Sequence, residues 1–315
     1  MSTAVESRPI LRRSADEIEA PPLSLRQLAW RRFRRHKMAM FGSIMLIVMI
    51  LWSLGGVLFY TEKYANFNDT SLRLAAPSRE HPFGTDTIGR DILARTIYGG
   101  QISLLIGVTA AALEVFVGVL IGAAAGFYGG KLDSVLMRFT EAMFCIPQIF
   151  LLIVMAKFFG GKIPNVTILG REFNGGVIVL IIGLTSWPYL VRIVRAEFLS
   201  LKEREFTLAA RAIGTRPRWI ITGHLLPNCL APIIVSATLG VANAITTEAY
   251  ISFLGLGVRP PTATWGNMLE SSYKYIAAAP WLWFFPGMMI LLTVLSINFV
   301  GDGLRDALDP RSRAV

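Results

Sequence analysis

The chain has 315 residues, of which 53% are hydrophobic and 17% are charged, and its net charge is +10. Soluble domains carry about a quarter charged residues, so this balance argues against an ordinary soluble domain. Lys and Arg cluster beside apolar runs, which favours membrane topology and lipid head groups over nucleic acid as the reason for the positive charge.

Six apolar spans are predicted along the chain, each long enough to cross about 30 Å of hydrocarbon. They cover residues 39–60, 102–127, 134–159, 177–196, 230–254 and 281–301. A polar arm precedes them over residues 1–38, and its string "WRRFRRHK", Trp30 to Lys37, is typical of a cytoplasmic anchor. We therefore expect an all-α membrane protein with six transmembrane helices.

The distribution of Lys and Arg predicts the orientation of these spans. If the arm, the turn "YGGKLD" with Arg138, the loop 197–229 together with the end of the span before it from Arg192, and the tail 302–315 share one side, that side holds 21 of the 31 Lys and Arg. The positive-inside rule then places both termini in the cytoplasm. The loop 61–101 lies outside in this arrangement, and residues 102–301 form a core of five helices.

Small residues and a proline indicate how two of the spans are built. Gly118, Gly122 and Gly126 recur every four residues, so they share one helix face that another helix can approach closely. We interpret this face as helix packing rather than as a substrate site. In the fourth span Pro188 follows Trp187 and is expected to kink the helix.

Few carboxylates lie at membrane depth, namely Glu114, Glu141 and Glu248. Such groups are costly and usually face a protein interior or a wet cavity. Glu248 lies near the middle of the fifth span. We predict that it lines a polar pathway, with Asn243 and Thr247 as further candidates. A proton-coupled transporter would match these carboxylates with buried His or Lys, and the spans contain no such match.

The segment "KEREFTLAARAIGTRPRWIITGHLLPN", Lys202 to Asn228, predicts two short helices joined by a sharp turn. Glu205 lies in the first turn and Arg211 near the end of the first helix, which suits the helix dipole. Gly214 occupies the position where a helix end needs a left-handed residue. Pro217 suits the first position of the second helix, and Pro227 is expected to end it.

Phe206, Ala210 and Ile213 are expected to share one face of the first helix. The face formed by the adjacent Ala209 and Ala210 is expected to be small and flat. Such a face favours insertion into a groove of a partner protein. The alternative is an amphipathic helix lying on lipid, which would favour bulkier apolar side chains. A DNA-binding role is excluded because both ends of the segment are tethered to membrane spans.

The hairpin resembles the cytoplasmic EAA loop of the membrane subunits of binding-protein-dependent ABC importers. That pattern reads EAA, three residues, Gly, nine residues and I-x-L-P. Here the matching residues are Ala209, Ala210, Gly214, Leu226 and Pro227, while Leu208 replaces Glu and His224 replaces Ile.

Two further strings resemble the C-type permeases for dipeptides, oligopeptides and nickel. They are "HPFGTDTIGRDILARTIYGG", from His81, and "FLGLGVRPPTATWGNML", from Phe253. Asp86, Arg90 and Asp91 of the first string are expected to form an ion-pair network that holds the outer loop, with substrate contact as the alternative. Trp265 of the second string either shapes an outer gate, contacts an external binding protein, or has a structural role.

The resemblance implies the type I ABC importer permease fold and an importing complex in a bacterial inner membrane. It implies three kinds of partner besides the bilayer: a homologous second permease subunit, two cytoplasmic ATPase subunits that hold ATP and Mg, and an external solute-binding protein. This chain has no Walker A string, so we expect no catalytic residue, cofactor or metal in it.

The docking residues implied by the resemblance are Glu205, Phe206, Ala209, Ala210, Arg211, Gly214, Leu226 and Pro227. Di- and oligopeptides are the expected substrates. Nickel or another small solute remains the alternative, and an ion-coupled secondary transporter is a more distant one.

Overall fold

The structure is a computed structural model that describes residues 24–159, 166–168, 171–173, 175–270 and 272–309. The first part of the described chain contains α1 (Leu25–Arg35), α2 (Lys37–Gly55), α3 (Glu62–Ala65) and α4 (Ile92–Tyr128), with 3-10 turns at Gly56–Leu58 and Thr70–Leu72. Residues 1–23 of the predicted arm 1–38 lie outside the described residues. The rest of the arm contains α1 and the first residues of α2.

The middle of the chain forms two bent helix pairs with a small ribbon between them. Its elements are α5 (Gly130–Cys145), α6 (Gln148–Phe159), β1 (Val166–Ile168), β2 (Arg171–Phe173), α7 (Gly176–Ser186) and α8 (Pro188–Leu201). The two strands pair antiparallel, with Thr167 opposite Glu172. This ribbon was not predicted and is a small exception to the all-α class.

The last part contains the hairpin and two long helices. Its elements are α9 (Glu205–Ala212), α10 (Pro217–Trp219), a π-helical segment (Ile220–Leu225), α11 (Leu226–Asn228), α12 (Leu230–Phe253), α13 (Trp265–Leu269), a 3-10 turn (Ser272–Tyr275) and α14 (Trp281–Leu308).

The prediction of six spans agrees with these elements. Four helices of the described chain, α2 (with the 3-10 turn that follows it), α4, α12 and α14, are long and apolar enough to cross a membrane. The pairs α5–α6 and α7–α8 bring the number to six if each bent pair is one span. The predicted kink at Pro188 is present as a 44° bend, whereas the 88° bend before Gln148 was not predicted.

Helix α4 begins ten residues earlier than predicted, because the polar residues of its first turns have tertiary partners. Asp91 caps the helix by accepting the N–H of Ala94 at 2.8 Å. The Arg95 guanidinium donates to Asn66 Oδ1 at 3.1 Å, and Gln101 Nε2 donates to the Ser53 carbonyl at 2.6 Å. Hydropathy alone cannot anticipate these partners. Because α4 begins at Ile92, the outer loop is shorter than the predicted range 61–101.

Helix α4 is the centre of the bundle and packs against α2, α7, α8 and α12. Its glycine face confirms the predicted packing, because Cβ atoms added at Gly118 and Gly122 would lie 2.9 and 2.8 Å from atoms of Leu190 and Val194 on α8. The sixth span also differs from the prediction, since α14 continues to Leu308 and includes the first half of the expected tail 302–315.

Candidate functional site

The hairpin of residues 202–228 turns at Gly214, as predicted. Gly214 has φ +78°, and the N–H groups of Gly214 and Thr215 donate to the carbonyls of Arg211 and Ala210. Only glycine adopts this left-handed conformation without cost. Pro217 is the first residue of α10, with Arg216 extended before it. The chain therefore reverses direction at one fixed point.

The second arm of the hairpin is not the single helix that was predicted, and Pro227 does not end it. The π-helical segment follows α10, and the Leu226 N–H donates five residues back to the Ile221 carbonyl. Pro227 then lies inside α11, only three residues before α12 begins at Leu230. Proline has no N–H to donate, and the wider π turn accommodates it without ending the helical path. The Asn228 Nδ2 donates to the nearby His224 carbonyl at 2.7 Å.

Both arms of the hairpin are fixed to the bundle. Ala210 is only 5% exposed and belongs to a buried cluster with Val194 and Phe198 of α8. Leu225 and Cys229 continue the same cluster. The buried Thr207 hydroxyl donates to the Leu201 carbonyl at 2.9 Å. The expectation of one flat face made of Ala209 and Ala210 is wrong, since neighbouring helical positions differ by about 100° and only Ala209 is exposed.

The outward side of the hairpin carries bulky apolar side chains. Phe206 is 39% exposed, Leu208 47%, Ile213 83% and Trp219 60%. Bulky apolar side chains are therefore present, and their absence cannot separate protein docking from a helix lying on lipid. A patch of this kind marks a protein or membrane contact.

Polar groups lie around this patch. Glu205 is exposed in the first turn of α9. Arg211 is exposed and its guanidinium lies 5.6 Å from the centre of the Phe127 ring, at the end of α4. Leu226 is partly buried against the cluster and Pro227 is exposed. The predicted docking residues thus divide into an exposed set and an anchoring set.

Helix α8 connects the hairpin to the neighbouring helices. Arg195 on α8 makes two hydrogen bonds to Asp133 in the first turn of α5, with Nε–Oδ1 at 2.5 Å and Nη2–Oδ2 at 2.7 Å. Such a bidentate pair fixes both distance and orientation. A Cβ at Gly126 of α4 would lie 2.6 Å from Phe198 of α8. The hairpin end of α8 is therefore in close contact with both α4 and α5.

At the other end of α4, the predicted ion-pair network is present in part. Arg90 Nε donates to Asp86 Oδ2 at 2.6 Å, and the Arg90 N–H donates to Asp86 Oδ1 at 2.9 Å. Asp91 instead contacts the imidazole of His81, with Nδ1–Oδ2 at 2.8 Å. Arg95, 3% exposed, lies 4.0 Å from Asp86 and extends this polar cluster.

Trp265 is fully buried, so in this conformation it cannot contact an external protein. Its indole Nε1 donates to the Thr96 carbonyl at 2.9 Å, and its backbone N–H donates to Ser103 Oγ at 3.1 Å. A Cβ on the following Gly266 would lie 2.7 Å from the Ala249 Cα. Helix α13 is thus pressed against α4 and α12, which agrees with the structural role.

The three pathway candidates do not share one side of α12, because Asn243 and Thr247 are four residues apart and lie on one side while Glu248 lies on another. Glu248 is fully buried, accepts a hydrogen bond from Ser252 Oγ at 2.6 Å and lies 3.4 Å from Ser103 Oγ. Thr247 is 7% exposed and donates to the Asn243 carbonyl. Asn243 alone is exposed, about 140° around the helix from Glu248. In this conformation Glu248 joins α12 to α4 and lines no open space.

The chain matches two family models and many known proteins. Residues 118–314 match the family described as binding-protein-dependent transport system inner membrane component, and residues 24–77 match the N-terminal TM domain of oligopeptide transport permease C. The dipeptide transport system permease protein DppC of Bacillus subtilis (strain 168) is 38% identical over 303 residues, covering 96% of this chain and 90% of the relative.

A second relative and one solved structure support the same comparison. The oligopeptide transport system permease protein OppC of Haemophilus influenzae (strain ATCC 51907 / DSM 11121 / KW20 / Rd) is 41% identical over 304 residues, covering 95% of this chain and 94% of the relative. An inward-facing structure of the MetNI methionine ABC transporter has a TM-score of 0.52 at 21% identity, covering 67% of this chain and 94% of that chain. The latter similarity concerns the fold alone.

Proposed function

Since the chain belongs to the family of binding-protein-dependent transport system inner membrane components, we propose that it is the permease subunit of an ATP-driven importer of di- and oligopeptides. The family supports the transport role, and the names of the relatives support peptides as the substrate. Selectivity among peptides is assigned to an external solute-binding protein. ATP and Mg are held by separate ATPase subunits, so this chain is not itself an enzyme.

The exposed side of the hairpin is the proposed docking site for an ATPase subunit. The observation that carries this proposal is that Phe206 and Ile213, which lie on one side of α9 and its end, expose apolar side chains, with Leu208 exposed on another side, while Thr207 and Ala210 are buried against the bundle. Glu205, Ala209 and Arg211 border the patch and supply polar and close contacts. Ala210 and Leu226 serve as anchors, and Gly214 sets the turn.

Closure of two ATPase subunits would displace the hairpin and, with it, α8. The Asp133–Arg195 pair passes that displacement to α5, and the glycine face passes it to α4. An outward-open state then receives substrate from the binding protein. ATP shifts this equilibrium only if the hairpin is bound differently in the two states.

The same proposal includes a homologous second permease subunit and a bacterial inner membrane. Support for the second subunit comes from α6 and the bend before it, where Ile146, Phe150 and Val154 are 45%, 63% and 56% exposed. The excess of Lys and Arg on the hairpin side supports cytoplasmic termini. Glu248 joins α12 to α4. This contact supports a structural role for Glu248 rather than a role in ion-coupled transport.

The test compares Ile213→Asp with Ile276→Asp in the complete transporter. Both side chains are exposed, at 83% and 57%, but only Ile213 lies on the hairpin. Burying a carboxylate in an apolar groove is unfavourable, so Ile213→Asp should abolish co-purification of the ATPase subunits and peptide uptake. Ile276→Asp should leave both unchanged. Wild-type uptake of labelled dipeptides by the Ile213→Asp transporter would refute the docking proposal.

A further inference from the structure

Helix α1 is a separate surface helix joined directly to a membrane span. Ser24 caps it, with reciprocal hydrogen bonds to Gln27 that form a capping box. It ends at Arg35, and α2 begins at Lys37. His36 between them is extended, with φ −78° and ψ 98°, so α1 does not simply continue the span. The position of α1 is therefore fixed by its own contacts.

One side of α1 is packed against the end of α14. Phe33 is 9% exposed and contributes to a buried cluster with Ala39 and Ala307. Arg32 Nη1 donates to the Asp309 carbonyl at 2.9 Å, and His36 Nε2 lies 3.5 Å from Asp306 Oδ2. These contacts leave the opposite side of α1 facing away from the bundle.

That opposite side is strongly basic. Arg31, Arg34, Arg35 and Lys37 are all exposed, and they form no ion pair within the part of the chain that the structure describes. Asp and Glu do not occur anywhere between residues 21 and 61. Within the described chain, Asp306 and Asp309 lie at the end of α14, and neither forms an ion pair with any of these four cations.

Apolar side chains lie among these cations, at the start of a span. Trp30 is 60% exposed, and Met38 and Phe41 of α2 are 48% and 54% exposed. Aromatic and basic residues at the end of a span are typical of the layer where hydrocarbon meets head groups. Because only His36 separates α1 from the span α2, the cations lie at the level of the head groups, beside apolar side chains that enter the hydrocarbon. This combination favours lipid over a soluble acidic partner.

We propose that the outward side of α1 is a binding surface for anionic phospholipid head groups, centred on Arg31, Arg34 and Arg35. The cations supply attraction to phosphate, and Trp30 supplies contact with the head-group layer. Binding holds α1 against α14 at the membrane surface. The proposal rests on the proposed orientation only for the choice of leaflet, the cytoplasmic one, and not on the peptide substrate or on ATPase docking.

The experiment uses the full chain, purified and offered equal amounts of phosphatidylglycerol and phosphatidylcholine, with retained lipid measured by native mass spectrometry. Each cation near an anionic surface contributes about 1 kcal/mol, which is about fivefold in binding. The wild-type chain should retain phosphatidylglycerol preferentially. The triple variant Arg31→Gln, Arg34→Gln, Arg35→Gln should lose most of that preference. The triple variant Arg31→Lys, Arg34→Lys, Arg35→Lys should keep it, because the positive charges remain.

A matched control removes three exposed cations at the other end of the bundle, with Lys63→Gln, Arg79→Gln and Lys274→Gln. This control should retain the preference. Equal retention by the control and by the Gln triple variant would overturn the proposal. Unchanged lipid retention with lost co-purification of the ATPase subunits would overturn it in favour of an acidic protein surface. If the Gln variant does not fold, increasing salt must still weaken the wild-type preference.

Discussion

The two ends of α4 meet the rest of the chain in opposite ways. At one end, Trp265 is fully buried and donates hydrogen bonds to the Thr96 carbonyl and to Ser103 Oγ. At the other end, the hairpin exposes Phe206 and Ile213 and is anchored through one side only. Both ends carry short strings of glycine, charged and aromatic residues that resemble family motifs. The string that contains Trp265 therefore maintains the fold, whereas the hairpin string offers a surface to a partner.

The largest expected effect tests the rigid end. Trp265→Ala should lower the free energy of unfolding by about 3–5 kcal/mol, because it removes a fully buried aromatic side chain and its hydrogen bond to Thr96. Trp283→Ala is the matched control, since Trp283 is 43% exposed, and should change it by about 0.5 kcal/mol. Chemical unfolding of the two variants gives the comparison. Similar losses at both positions would show that this end is not specially rigid.

A smaller effect distinguishes two glycines that both have a positive φ. Gly89 has φ +83° and Gly214 has φ +78°, so alanine at either position costs about 1–2 kcal/mol. A Cβ at Gly89 would also lie 1.7 Å from the Asp69 carbonyl oxygen, whereas nothing lies within 4 Å at Gly214. Gly89→Ala should therefore lose roughly 1–3 kcal/mol more than Gly214→Ala in the same unfolding measurement. Equal losses would contradict the contrast.

The sequence predicted features that depend on local chemistry. The left-handed Gly214, the helix start at Pro217 and the kink at Pro188 follow from backbone constraints of glycine and proline, and all three are present. The glycine face of α4 was interpreted correctly because the spacing of Gly118 and Gly126 alone places them on one side. Spans also follow from apolar length, which hydropathy records directly.

Features that depend on distant partners could not be predicted. Trp265 is buried by residues about 160 positions earlier in the chain, such as Thr96 and Ser103. Ala210 and Ala209 are chemically identical, and only the position of α8 decides which of them is buried. Glu248 lines no open space because Ser252 and Ser103 enclose its carboxylate. No local pattern records these contacts.

The smallest expected change in stability belongs to the ion pair that joins the hairpin end to α5. Asp133→Asn should lower the free energy of unfolding by less than about 1 kcal/mol, because the Arg195 side chain is 31% exposed. Transport should suffer more. If α5 must follow α8, peptide uptake per ATP hydrolysed should fall about fivefold, the lower end of usual coupling energies. Proteoliposomes containing the complete transporter give both rates.

Two further variants decide whether the pair positions α5 or merely stabilises it. Exchanging the charges, with Asp133→Arg and Arg195→Asp together, should restore uptake per ATP because the pair is formed again. Asp86→Asn breaks the 2.6 Å ion pair with Arg90 at the rigid end and should lower stability without changing uptake per ATP. If Asp86→Asn uncouples transport as strongly as Asp133→Asn, both ends of α4 transmit motion. The division between a rigid end and a transmitting end would then be wrong.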